Sequence, residues 1–171
     1  CVDTGNINDD CDANASNNSL GGIVGWPHKE GGAGKSLKNC ENAGTITVTG
    51  LSKTRVGGIS GGCIAIADCI NRGKIYLKSG QTSCTIGGIA GVAAGVHPVT
   101  GCESYGEIIS DVKLAGAQGG SASGIAGIIG ATYNQANLKV NGCTAACDIT
   151  APEGSTAFML IGVVGSNKAV T

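Results

Sequence analysis

Two short motifs alternate along this chain of 171 residues, and each occurs five times. The first is an apolar residue followed by Gly-Gly-Ile-x-Gly. It is complete at residues 20–25, 56–61 and 86–91 and degenerate at 123–127 and 161–165. The second is Cys-x-Asn-x-Gly-x-Ile. It is complete from Cys40 and from Cys69, and variants of it begin at Cys1, Cys102 and Cys143. These motif cysteines are 39, 29, 33 and 41 residues apart, and a unit of about 35 residues that returns five times is typical of a repeat array.

The repeats predict strands rather than helices. The chain has 31 glycines, and each one costs a helix interior up to about 1 kcal/mol. Each repeat offers three short β-branched or alternating segments: one at Gly-Gly-Ile, one that runs into the cysteine, and one that starts at the isoleucine of the second motif. The Asn-x-Gly element between the last two predicts a turn with its glycine at positive φ. We therefore expect an all-β fold, a right-handed parallel β-helix of about five irregular coils that forms a single domain over residues 1–171.

The cysteines and asparagines of the second motif predict two internal ladders. Free cysteine behaves as a small buried apolar residue, so the five motif cysteines are expected to stack inside without disulfides. The nine cysteines are an odd number. No Cys-x-x-Cys pair occurs, so the sequence lacks the usual spacing of a metal or redox site. Asn42 and Asn71, flanked by Asp3 and Ser104, predict a polar ladder along the stack.

Composition excludes several classes of protein. The net charge is −1, so the chain has no excess of positive charge with which to bind nucleic acid. No apolar run reaches the roughly 20 residues of a membrane span. The chain opens at Cys1 without an initiator methionine or signal peptide, and we expect it to be a fragment of a longer protein whose neighbouring repeats cover its ends.

Candidate site residues are few. Asp10, Asp12 and Asn14 follow the oxygen spacing that opens a calcium loop, although Ala15 and Gly21 depart from the pattern; the alternative is a solvated insertion. No other cofactor is expected.

Single aromatic residues are the candidates for stacking on a sugar. The alternative is that they cap corners of the stack. The binding candidates are Trp26, His28, Tyr105 and Tyr133, with Tyr76 as a further exposed aromatic.

The charged residues predict no catalytic site. Glu41 and Lys74 belong to neighbouring repeats, and Glu103, Glu107 and Asp111 to another, but no inward column of carboxylates is evident. We therefore expect no enzyme activity and interpret the charges as scattered, solvated positions.

The Gly-Gly-Ile copies at Gly21, Gly57 and Gly87, each followed by an Asn-x-Gly-x-Ile element or a variant of it, resemble a known family. They are similar to the GLUG-type glycine-rich repeats of bacterial cell-surface proteins, which occur in adhesins and beside immunoglobulin-A-cleaving peptidases. This chain differs by the isoleucine after the glycines and by its cysteine. The peptidase's metal motif has no counterpart here, so the resemblance implies no activity.

The resemblance implies a non-enzymatic, extracellular scaffold or adhesin-like module of a bacterium, with a host, glycan or self surface as partner. Two alternatives remain open from the residues. One is a glycan-binding or glycan-cleaving module, and the other is a self-associating fibre subunit.

Overall fold

The computed structural model describes residues 1–9, 18–26, 36–50, 54–62, 64–79, 83–114, 124–133, 138–155 and 159–160. Within these ranges the chain is all-β and contains no helix. The strands in chain order are β1 (Val2–Asp3), β2 (Ile7–Asp9), β3 (Asn18–Gly21), β4 (Ser36–Lys38), β5 (Glu41–Asn42), β6 (Ile46–Val48), β7 (Thr54–Gly57), β8 (Ala65–Ala67), β9 (Ile70–Asn71), β10 (Ile75–Leu77), β11 (Thr85–Gly87), β12 (Ala90–Ala94), β13 (Val99–Thr100), β14 (Glu103–Ser104), β15 (Ile108–Ser110), β16 (Gly124–Ala126), β17 (Ile129–Tyr133), β18 (Val140–Asn141), β19 (Thr144–Ala145), β20 (Ile149–Thr150) and β21 (Met159–Leu160).

These strands form five parallel sheets, in each of which a strand pairs with its counterpart from the next repeat. Sheet 1 has the order β1-β5-β9-β14-β19, sheet 2 the order β2-β6-β10-β15-β20, and sheet 3 the order β3-β7-β11-β16-β21. Sheet 4 is β12-β17, and sheet 5 is β4-β8-β13-β18. Isolated parallel bridges from Val24 to Ser60 and from Ser60 to Ala90 join the earlier repeats at the position of sheet 4.

The motifs determine the register of the sheets. In sheet 2 the motif isoleucines pair directly across all five repeats: Ile7, Ile46, Ile75, Ile108 and Ile149. We number the repeats 1 to 5 from their motif cysteines, Cys1, Cys40, Cys69, Cys102 and Cys143. A sequence alignment of the repeats is therefore also the strand register, since equivalent motif positions face each other at the usual spacing of about 4.8 Å.

The three predicted strand segments correspond to sheets 2, 3 and 5, and the prediction of an all-β chain with parallel strands is confirmed. Sheets 1 and 4 are additional to the predicted segments. The motif pattern predicts a turn at Asn42 and Asn71, but they lie in the two-residue strands of sheet 1 because their backbones pair with neighbouring repeats.

The predicted reason for the motif glycine is wrong. Gly44, Gly73 and Gly106 are not at positive φ. Each lies so close to the glycine of the preceding repeat that a Cβ atom would overlap its carbonyl oxygen. Glycine is needed at this position for close approach of two backbones rather than for a left-handed turn.

Positive φ occurs instead at the residue that precedes the motif cysteine. Asn39, Asp68, Gly101 and Gly142 have φ values of 51°, 53°, 61° and 61°. Asparagine, aspartate and glycine are the residues that tolerate the left-handed region. The turn from sheet 5 into sheet 1 therefore has the same conformation in repeats 2 to 5.

Among the described residues, the core has two hydrophobic clusters that each extend through several repeats. The first core cluster lies among sheets 4 and 5 and the motif cysteines, and it includes Ile59, Ile66 and Ile89. The second lies between sheets 2 and 3, and it includes Ile75 and Ile86. The residue before each Gly-Gly pair packs in the second core cluster, as Val56 and Ile86 do. The isoleucine after the pair packs in the first core cluster, as Ile59 and Ile89 do.

The two sequence motifs meet in the interior. The second glycine of the Gly-Gly pair packs against the asparagine of the other motif, so that a Cβ atom on Gly58 would lie 2.6 Å from Nδ2 of Asn71. Asn42 donates its side-chain amide to Oδ1 of Asn71 at 2.8 Å, and both residues are fully buried. This hydrogen bond confirms the polar ladder for these two repeats.

The described part of the chain contains no helix that is long and apolar enough to cross a membrane.

Candidate functional site

The main candidate site is the outer surface of sheets 1 and 2 in repeats 2 to 4, which we call the outer face. Along these strands every second residue is buried, so the intervening side chains point outward. The outer face consists of Glu41, Arg72, Lys74, Tyr76, Glu103, Tyr105, Glu107 and Asp111, all of them exposed or half-buried.

The charges of the outer face pair between neighbouring repeats. Nε of Arg72 lies 3.0 Å from Oε1 of Glu41, and Nζ of Lys74 lies 3.1 Å from Oε2 of Glu107. The expectation that these charges are scattered is therefore wrong. Alignment of the second motif would have found the pairing, because Lys74 and Glu107 occupy the same motif position in neighbouring repeats.

The two tyrosines of the outer face are held by both cations and carboxylates. The guanidinium carbon of Arg72 lies 5.2 Å from the ring centre of Tyr105, and Nζ of Lys74 lies 5.5 Å from that of Tyr76. Such cation–π contacts contribute about 0.5–1 kcal/mol at exposed sites. The hydroxyl of Tyr105 donates to Glu103 at 2.8 Å, and that of Tyr76 donates to Asp111.

These hydrogen bonds raise the pKa of both phenols. The carboxylate of Asp111 raises the pKa of Tyr76 above its usual value of 10, because an ionised phenol would lose the hydrogen bond and face a like charge. Glu103 raises the pKa of Tyr105 in the same way, and nearby Arg72 opposes this shift. At neutral pH both tyrosines are therefore hydrogen-bond donors that are already engaged within the face.

The other binding candidates lie elsewhere. Trp26 is 48% exposed, and its ring centre is 5.0 Å from the guanidinium carbon of Arg55. It packs against Gly62, where a Cβ atom would lie 2.9 Å from Cδ2 of the indole. Tyr133 ends β17, but its side chain lies outside the described structure, as does all of His28.

The calcium candidates Asp10, Asp12 and Asn14 also lie outside the described residues. Within the described ranges, no group of three histidine, cysteine, aspartate or glutamate side chains is arranged to hold a metal ion.

The motif cysteines of repeats 2 to 5 form what we call the thiol column. Cys40 is 5% exposed, Cys69 and Cys102 are fully buried, and Cys143 is half-buried. Cys1, at the same position in repeat 1, is exposed. Each Sγ in the column donates to the carbonyl two residues earlier, for example from Cys69 to Ala67 at 3.2 Å and from Cys102 to Thr100 at 3.3 Å.

Hydrogen bonds between the thiols separate their pKa values. Contacts with the thiols of Cys143 and Cys69 are the main cause that raises the pKa of Cys102, and burial raises it further. The same contacts lower the pKa of Cys69 and of Cys143 to about 6, although burial works in the opposite direction. The half-buried thiol Cys147 behaves differently, since burial raises its pKa.

A cleft of about 260 Å³ lies at the turn between sheets 5 and 1 in the first repeats. It is lined by Cys1, Val2, Asn39, Cys40, Glu41, Asp68 and Ile70. Its volume is slightly below the usual range of small-molecule pockets, about 300–1,000 Å³.

Comparisons with known proteins leave the family open: no family model, no curated protein and no solved structure matches this chain.

Proposed function

We propose that the chain is a non-enzymatic repeat scaffold or adhesin-like module on the outside of a bacterial cell. In this proposal it is one right-handed parallel β-helix of about five irregular coils over residues 1–171, related to the GLUG-like repeats. The observation that carries the proposal is the recurrence of sheets 1, 2 and 3 in all five repeats, with motif residues in register. Such stacking builds a stiff body from backbone ladders and leaves the connecting loops for recognition.

The chemistry of the outer face supports a structural role. Its cations and tyrosine hydroxyls are paired with carboxylates of the same or a neighbouring repeat, so its polar groups hold the repeats together. A catalytic carboxylate pair would instead be directed at a substrate.

Surface exposure tests the proposed location. We expect brief protease treatment of intact source cells to release peptides from the loops of this chain. Full protection on intact cells, with cleavage only after lysis, would contradict an extracellular scaffold.

Catalysis is tested separately with purified chain and a panel of polysaccharides. We expect no increase in reducing ends over a buffer control. Release of reducing ends that a Glu107→Gln variant abolishes would replace the scaffold with a glycan-cleaving enzyme.

Glycan binding is the second candidate because Tyr105 is 40% exposed and lies among carboxylates that could accept sugar hydroxyls. An oligosaccharide array with the Tyr105→Ala variant tests it. Val96→Ala is the matched control, since Val96 is 75% exposed on a different part of the surface. Binding that only Tyr105→Ala removes would support this candidate, and the absence of any binding would exclude it for the glycans tested.

A self-associating fibre subunit is the third candidate. Among the described residues, β1, β2 and β3 each pair on one side only, as do β19 and β20 at the other end of their sheets. A free strand edge can pair with a second copy. Sedimentation over a hundredfold range of concentration would detect this, with a constant coefficient favouring a monomeric scaffold.

A further inference from the structure

The thiol column has chemistry that the proposed scaffold does not use. Each of its members directly precedes a strand of sheet 1, and these strands are neighbours in the sheet. Thr144 donates its backbone N–H to the carbonyl of Cys102 at 2.9 Å, and Glu103 pairs with Thr144 in register. Cys102 and Cys143 are therefore direct neighbours across the sheet.

The spacing of neighbouring strands suits a disulfide. Parallel strands lie about 4.8 Å apart, and bridged cysteines usually have Cα atoms 4.4–6.8 Å apart. The side chains of Cys102 and Cys143 point the same way, since Cys102 belongs to the first core cluster and Cys143 packs against that cluster. Formation of a bond between them requires no strand to move from its register.

Solvent exposure distinguishes one cysteine of the thiol column from the others. Cys69 and Cys102 are fully buried and Cys40 is 5% exposed, whereas Cys143 is half-buried in the last repeat. A small oxidant dissolved in water therefore reaches Cys143 before it reaches the interior thiols.

We propose that Cys143 is an oxidation site, and that a hydroperoxide converts Cys143 and Cys102 into a disulfide at the end of the thiol column. The thiolate, and not the thiol, reacts with peroxide. The lowered pKa of Cys143, about 6, gives it thiolate character at pH 7. Redox-sensitive cysteines have this combination of access, low pKa and a neighbouring thiol.

The reaction balances in two steps. The Cys143 sulfur attacks a peroxide oxygen, an S–O bond forms as the O–O bond breaks, and the products are a sulfenic acid and water or an alcohol. Cys102 then attacks the Cys143 sulfur, an S–S bond forms, and the sulfenic hydroxyl leaves as water with the proton of Cys102.

Thiol mapping of the whole folded chain tests the proposal. The chain is treated at pH 7 with a few equivalents of hydrogen peroxide, quenched with N-ethylmaleimide and digested without reduction. We expect the first cross-linked peptide to join Cys102 to Cys143. A first bridge between Cys1 and Cys40, or first oxidation at Cys147, would overturn the assignment.

Two variants and a matched control sharpen the test. Cys143→Ser is expected to reduce the cross-link to background, while Cys102→Ser leaves a sulfenic acid on Cys143 that dimedone traps. Cys147→Ser is the control, because Cys147 is half-buried in the same repeat but has a raised pKa. Loss of the cross-link in Cys147→Ser, or over-oxidation of Cys143 with Cys102 present, would contradict the proposal.

Alkylation rates provide a readout that needs no variant. At pH 7 we expect iodoacetamide to modify Cys143 about tenfold faster than Cys147. A larger fraction of Cys143 is ionised, and this outweighs the lower intrinsic nucleophilicity of a thiolate with a low pKa. The rate at Cys143 should reach half its maximum near pH 6. Equal rates at the two cysteines would overturn the assignment of Cys143.

Discussion

At the scale of single residues, the two motifs are explained by the contacts they make with each other and with neighbouring repeats. The motif glycine lets successive turns approach, the Gly-Gly pair makes room for the asparagine ladder, and the asparagines join one repeat to the next. The loss of stability that a substitution at a motif position causes therefore depends on whether the residue is in contact with a neighbouring repeat.

Gly73→Ala is expected to destabilise the protein by about 3 kcal/mol, since the added methyl group overlaps the backbone carbonyl of Gly44 and the stack cannot yield locally. Gly5→Ala is the matched control. Gly5 occupies the same motif position in repeat 1, where a Cβ atom meets only Oδ1 of Asp3, at 3.4 Å. Urea denaturation of both variants measures the difference, and an equal loss of stability would show that close approach is not the reason for the glycine.

The tyrosines of the outer face give a prediction about pH. Because Asp111 raises the pKa of Tyr76 above 10, the phenol–carboxylate hydrogen bond is present below that value and is lost as pH rises through the raised pKa. In a titration followed by tyrosinate absorbance, Asp111→Asn is expected to lower the midpoint of Tyr76 towards 10. Glu103→Gln serves as the comparison and should lower that of Tyr105 alone. Unchanged midpoints in both variants would contradict the hydrogen bonds described for the outer face.

At the scale of elements, the strands of repeats 3 and 4 carry opposite charges on the outer face. Arg72 and Lys74 lie in one repeat, and the next repeat carries Glu103, Glu107 and Asp111. The backbone of Asp111 pairs with that of Leu77, which keeps the two rows aligned. Opposite charges on adjacent strands favour the observed register over slipped alternatives.

Reversal of one charge in these rows is expected to have a small and salt-dependent effect. Lys74→Glu should destabilise the protein by less than about 1 kcal/mol, because both partners are 39–48% exposed and solvent screens the pair. The double variant Lys74→Glu, Glu107→Lys should recover the loss, as measured by a double-mutant cycle in urea at low and high salt. A double variant no more stable than Lys74→Glu would show that the pair does not interact.

At the scale of the whole molecule, the two core clusters extend through the same repeats and share the polar ladder and Gly-Gly turns between them. Residues before and after each Gly-Gly pair belong to different clusters although they are a few positions apart. Loss of packing in one cluster therefore removes support from the other.

We expect Ile75→Ala in the second cluster and Ile89→Ala in the first to lower one common unfolding transition. Both side chains are fully buried, so each variant should lose about 3 kcal/mol. Calorimetry with circular dichroism checks whether the transition remains single. Two transitions, each sensitive to one variant, would show that the clusters unfold separately.

The sequence alone determined the repeat, the parallel strands of sheets 2, 3 and 5, and the register in which equivalent motif positions pair. Alternation of two motifs with glycine and β-branched residues leaves few other structures, so the parallel pairing of Ile46, Ile75 and Ile108 could be predicted from alignment of the repeats. The same alignment predicts the pairing of Lys74 with Glu107, because they occupy the same motif position in neighbouring repeats although they are far apart along the chain.

Only the tertiary structure decided what lies beneath or beside each residue. It gave close approach as the reason for Gly73, placed Asn71 against Gly58, and left Cys143 more accessible than the rest of the thiol column. The physical reason is that motif periodicity specifies which residues are equivalent, whereas distance, burial and pKa depend on neighbours some 30 to 40 residues away along the chain.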